Sequence, residues 1–212
     1  MKKIISTIVC VAILIMLITN QITVLAAVGS EGYAVYRDGV LNGLNWHTGI
    51  MYDRTRTYSS LPVIQASGSG YYVSYVRWSH TSLVSFMDGQ NYIGSYVPKG
   101  GISSAGRDQV KYVANRLAND LISYKSTGQM AFNQNILGTK TYITYEDITH
   151  MRCDGVVEYC YEFNGYRVYG DDTKWNISKA NINNYNHHNV ALQINPQVQA
   201  NSYMTKVSSV LP

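Results

Sequence analysis

Arg152-Cys153-Asp154-Gly155-Val156-Val157-Glu158-Tyr159 reads as the start of a helix that carries a nucleophilic thiol. A cysteine in the first turn of a helix feels unpaired backbone N–H groups and the positive end of the dipole, both of which favour a thiolate. The same amides are placed to receive the oxyanion of a tetrahedral intermediate. Asp154 adds a carboxylate that suits a helix start, and Gly155 lets a neighbouring strand approach closely. Val156, Val157, Cys160 and Tyr161 turn inward, and the helix ends near Asn164-Gly165.

Attack by a thiol on a carbonyl requires a base and a fixed orientation. The stretch Asn45-Trp46-His47-Thr48-Gly49-Ile50-Met51-Tyr52 offers His47 at the head of a strand, as the group that takes the thiol proton and later gives it to the leaving amine. In Val63-Ile64-Gln65-Ala66-Ser67, alternation puts Gln65 on one face of the next strand. Its side-chain oxygen can there accept from the ring nitrogen that does not face the cysteine.

Around these segments the front half of the chain predicts a meandering antiparallel sheet. Tyr33-Ala34-Val35-Tyr36 is a strand ended by the turn Arg37-Asp38-Gly39, followed by strands over 47–52, 63–66 and 71–76. Asp88-Gly89, between Val84-Ser85-Phe86-Met87 and Tyr92-Ile93-Gly94, predicts a tight primed turn joining a hairpin. Ser104 caps a helix over 104–123 whose buried face is Val110, Val113, Ala114, Leu117, Ala118, Leu121 and Ile122. Lys99-Gly100-Gly101 lacks the spacing of a phosphate loop and reads as a linker. Residues 181–189 are rich in Asn and His, and Pro196 begins a tail with little periodicity.

The 212 residues, 46% hydrophobic and 14% charged, suffice for one domain with a sizeable core. Met1-Lys2-Lys3, the apolar run to Ile18 and Leu25-Ala26-Ala27 read as a secretory signal peptide over 1–27, so the chain is expected outside the cytoplasm or in the envelope. A membrane association is expected only if that segment stays uncleaved. Cleavage removes Cys10, Lys2 and Lys3 and leaves 15 basic residues against 13 acidic, a formal charge of +2. With no basic run or aromatic-plus-basic patch, nucleic acid is not an expected partner.

Two cysteines remain, Cys153 and Cys160. Seven helical residues separate their α-carbons by about 10 Å, beyond the roughly 7 Å that a disulfide tolerates, so free thiols are expected. Cys160 has no partner motif and reads as a small buried hydrophobe. The same spacing lacks the close pair of a structural zinc site, so no metal is expected even with His187 and His188 counted. His80 and His150 read as surface or loop residues. Nineteen tyrosines against three phenylalanines fit half-buried aromatic positions along a cleft.

The Cys-Asp-Gly-Val-Val and His-Thr-Gly-Ile-Met-Tyr segments resemble the NlpC-type papain-like cysteine peptidases and amidases of bacterial cell walls. In that family a Cys-(Ser/Asp)-Gly motif starts a helix, a His-(Val/Thr)-Gly-Ile-Tyr motif starts a strand, and a polar residue on the following strand completes the site. Because His47 precedes Cys153, the resemblance is to the circularly permuted branch, the YiiX-like proteins and relatives of lecithin:retinol acyltransferase-type enzymes. It implies an α+β, papain-like domain over 28–212, with a core at about 33–165 and a C-terminal extension at 166–212. It further implies Cys153 as nucleophile, His47 as base, Gln65 in the third polar position, no cofactor, and a peptidoglycan peptide or other acyl-amide as substrate. Two alternatives stand beside it: an acyltransferase or lipid or acyl-amide hydrolase of the same fold, and a non-catalytic envelope module that binds through its tyrosines.

Overall fold

Short runs of β-branched and aromatic residues build the front of the molecule. In the computed structural model, which describes residues 31–39, 46–53, 62–68, 72–76, 85–126, 128–169, 175, 177 and 194–210, they form four antiparallel strands in sequence. These are β1 (Ala34–Arg37), β2 (His47–Met51), β3 (Val63–Ala66) and β4 (Val73–Val76). The signal segment, His80, His187, His188 and residues 181–189 lie outside the described residues. Strand β5 (Tyr92–Pro98) pairs with the free edge of β1, and β9 (Met204–Ser208) pairs with β5. The result is an antiparallel sheet of six strands in the order β4-β3-β2-β1-β5-β9.

Alternation gives this sheet two apolar faces. Ala34, Tyr36, Ile50, Ile64, Ala66 and Val73 pack against the helices, while Val35, Met51, Val63 and Val76 pack against Phe86 and Met87. Asp88 and Gly89 both have positive φ, 46° and 72°, and Gln90 N–H donates across them to Met87 C=O at 2.8 Å, as a primed turn requires. Among the described residues the expected hairpin is not formed around that turn: Phe86 and Met87 plug the second face of the sheet, and β5 takes β1 as its partner.

Helix α1 (Ser104–Asn119) is capped one residue earlier than expected, by Ser103, whose Oγ accepts from Gly106 N–H at 3.0 Å. Val110, Val113, Ala114, Leu117 and Ala118 form its buried face as expected. Leu121 does not belong to it: the helix stops at Asn119, and Leu121 takes φ 51° and is 63% exposed.

Helix α2 (Cys153–Glu162) is buried along all ten residues. Beneath it lie β2, β3 and α1. A second sheet, missed in the sequence, adjoins it: β6 (Ser123–Tyr124), β7 (Met130–Phe132) and β8 (Ile148–Met151) in the order β6-β8-β7. Strands of two to four residues carry too little alternation to be read. Gly155 is the point of closest approach, since a Cβ built there would lie 2.1 Å from the carbonyl oxygen of Gln129, one residue before β7.

The C-terminal segment is also more than a tail. Asn195 Oδ1 caps Pro196–Val198 by accepting from Val198 N–H at 2.9 Å, a wide turn over Gln199–Tyr203 follows, and β9 then completes the main sheet. The expected extension therefore supplies an edge strand of the domain itself.

Candidate active site

His47 opens β2 and Gln65 lies on β3, whose alternation brings both side chains to the Phe86 face. His47 Nε2–H donates to Gln65 Oε1 at 2.7 Å. With Nε2 as the donor, Nδ1 carries the lone pair and is the ring's basic atom. The imidazole stands against Phe86, with ring centroids 5.9 Å apart. Gly49 makes the pairing possible: a Cβ there would fall 2.7 Å from Ile64 C=O and 3.3 Å from Gln65 Cβ. Any larger residue would push β3 away from the histidine.

Cys153 approaches β2 from the other face, at the N-terminal end of α2. Strand β3 pairs with β2 only at Ile50↔Ile64 and Met51↔Val63, which leaves the 47–49 end of β2 without ladder partners on that side. There the backbone N–H of Thr48, the residue after His47, is directed to the thiol and favours its anion, as does the N–H of Asp154. Cys153 is 6% exposed, and both it and Cys160 are free thiols. Cys160 lies in the core beside Val156 and Val157, with its thiol pushed upward by burial alone.

The expectation that the helix start lowers the Cys153 pKa is overturned. Burial first, and the charge of Asp154 second, push the thiol up to about 12, and the opposing pull of Arg152 and the two amides does not compensate. His47 moves the other way: burial and the nearby Arg37 charge bring it down to about 3, against a smaller opposing effect of the Gln65 bond. The resting pair at neutral pH is thus thiol and neutral imidazole. Alkylation of Cys153 by iodoacetamide should be slower than that of free cysteine at pH 7 and should still be rising past pH 9. A rate already level at pH 7 would identify a resting thiolate instead.

Asp154 is wholly buried and is held by Arg152, whose Nε and Nη2 donate to its two oxygens at 2.5 and 2.7 Å. Arg152 also donates to Ile194 C=O at 2.8 Å, so the residue before the nucleophile is tied to the C-terminal segment. A buried polar network continues behind the nucleophile. Gln199 Nε2 donates to Asp154 C=O at 3.0 Å and to Glu158 Oε2 at 3.4 Å, Gln129 Nε2 donates to Glu158 Oε2 at 2.7 Å, and Tyr36 O–H donates to Gln199 Oε1 at 2.8 Å. Apart from Gln129 Oε1, which is buried without a hydrogen-bond partner among the described residues, the amides and carboxyls named here exchange solvent for fixed partners, which locks the start of α2 in place.

Of the three residues singled out in the sequence, His47 and Gln65 are bonded directly on one face of the sheet, and Cys153 meets the Thr48 amide from the other. Arg37, Phe86, Gln129 and Gln199 were not anticipated. Arg37 reads as part of a turn and Phe86 as part of a hairpin strand, while Gln129 and Gln199 belong to segments whose sequence carries no motif. His150 lies exposed on β8, its Nδ1 3.1 Å from Thr149 Oγ1. Among the described residues no group of three or more His, Cys, Asp or Glu side chains is arranged to hold a metal ion. Comparison of the chain with protein-family models, with curated proteins and with solved structures gives no match.

Proposed function

We propose that this chain is an exported cysteine hydrolase of papain-like, circularly permuted NlpC type that cleaves amide bonds in peptidoglycan stem peptides. The observation that carries the reading is the 2.7 Å bond from His47 Nε2 to Gln65 Oε1, which leaves Nδ1 basic one residue before the Thr48 amide that meets Cys153 at a helix start. A half-buried base oriented by a neutral acceptor is the arrangement a thiol nucleophile needs. The antiparallel sheet packed on α2, with the histidine strand ahead of the cysteine helix in the chain, supports the permuted arrangement.

Because both partners are neutral at rest, His47 removes the proton as the bond forms. Sγ attacks the amide carbon, His47 Nδ1 takes the thiol proton, and the oxyanion faces the amides at the start of α2. The C–N bond then breaks, the proton passes from His47 to the leaving amine, and an acyl-enzyme remains on Cys153. Water attacks this thioester with His47 again as base, the C–S bond breaks, and the proton returns to sulfur.

The test is to incubate the purified protein with wall fragments, acyl-lipids and simple acyl-amides, and to identify products by mass. Release of a free amine and a new carboxylate from stem peptides is expected; cleavage confined to acyl-lipids would reassign the substrate, and no cleavage of any of the three would remove the hydrolase reading. Gln65→Ala should lower kcat on the order of 10- to 100-fold with circular dichroism unchanged, because the ring loses its orienting acceptor. Full activity in that variant would remove Gln65 from the site.

A further inference from the structure

Arg37 is a cation that the chemistry above does not use, yet it is 7% exposed and stands directly opposite His47 in the β1–β2 register. Direct cross-strand partners emerge on one face of a sheet, so the guanidinium and the imidazole share the Phe86 side. Three contacts hold the guanidinium there. Nε donates to Phe86 C=O, Nη1 donates to Asp38 C=O at 2.9 Å, and Nη2 lies 3.7 Å from Asp88 Oδ2. The first and third of these belong to the segment that ends in the Asp88-Gly89 turn, and that segment carries the ring lying 5.9 Å from His47.

We propose that Arg37 is a positioning residue for the His47 base: clasped by Phe86 and Asp88, its guanidinium holds the wall on which the imidazole rests and fixes a positive charge beside the ring. A buried cation at this place opposes an imidazolium and favours a neighbouring anion. The Arg37 charge lowers His47, and on its own side Arg37 is raised by Cys153 against the larger effect of burial. The charged and titratable groups around the pair are Arg37 of β1 and Asp38 just after it, Asp88 of the turn, Tyr92 opposed to Arg37 on β5, and Cys153 of α2, with Gln65 of β3 neutral. The consequence for catalysis, a base that stays unprotonated in acid, rests on the hydrolase reading. The effect on the ring does not.

The experiment is a ring-resonance NMR titration of His47 in the full-length protein, assigned by the signal lost in His47→Gln. Arg37→Met should raise the His47 midpoint by at least about one pH unit, a tenfold change in protonation, and Arg37→Lys should restore most of the difference. Asp88→Asn, which removes the counter-charge and leaves the cation, should leave the midpoint unchanged or lower it. An unchanged midpoint in Arg37→Met, or a rise in Asp88→Asn, would overturn the proposal. If Arg37→Met does not fold, the Arg37→Lys and Asp88→Asn titrations decide it by the same signs. Because no substrate is involved, these outcomes are independent of whether wall fragments are cleaved.

Discussion

Cys153→Ala and His47→Ala should each abolish amide hydrolysis, a loss on the order of 10³-fold or more, while Cys160→Ala retains most of it. The two thiols differ in place rather than in solvent access, because both are buried. Cys153 meets the Thr48 amide one residue from the base, whereas Cys160 is two turns along α2 among Val156 and Val157. Removal of the Cys160 sulfur costs packing, about 1 kcal/mol, without touching the site. Turnover of a stem-peptide fragment, followed by product mass, is the measurement. An inactive Cys160→Ala beside an active Cys153→Ala would reverse the assignment. The pH profile supplies a second check, since a base held near 3 keeps kcat/KM level well below the ordinary histidine range of about 6.5.

The second large effect concerns Gly155. In an unconstrained helix, Gly→Ala stabilises by up to about 1 kcal/mol. Here the added methyl would sit 2.1 Å from the Gln129 carbonyl oxygen, which also accepts from Arg152 N–H at 2.9 Å. Backbone must move, and overpacking of this kind costs about 3 kcal/mol, so the net change should be a loss of about 2 kcal/mol. Thermal unfolding should show Tm lowered by about 4–8 °C. Activity should fall as well, because the displacement acts on the turn that carries Cys153. An unchanged or raised Tm would mean that β7 does not lie against α2 as described.

Much of the scaffold was legible because its signals are local. The strands at 47–51 and 63–66 follow from alternation, the turn at Asp88-Gly89 from the two residues that tolerate positive φ, and the start of α2 from a cysteine and a small residue ahead of an apolar face. The overrun of α1 into Leu121 shows the limit of periodicity. An apolar residue at the right spacing predicts burial, whereas the chain has already left the helix with a positive φ.

Within the site, sequence supplied the identities and only the fold supplied their charges. Cys153, His47 and Gln65 were named from residue types, and the 2.7 Å bond between the last two is the geometry those types allow. The direction of the Cys153 shift departs from the sequence expectation because a helix start is a local feature, while burial comes from two sheets and α1 closing over α2, contributed by segments far apart in the chain. Gln199 is the same lesson at longer range. It reaches Asp154 and Glu158 from 45 and 41 residues away, and nothing in its neighbours marks it. The chain alone determined which elements form and which atoms are capable of the chemistry, since propensity and side-chain type are read residue by residue. Tertiary structure decided which of those atoms lose water and which charge stands beside them, because desolvation and Coulomb interactions depend on distance in space and not on distance along the sequence.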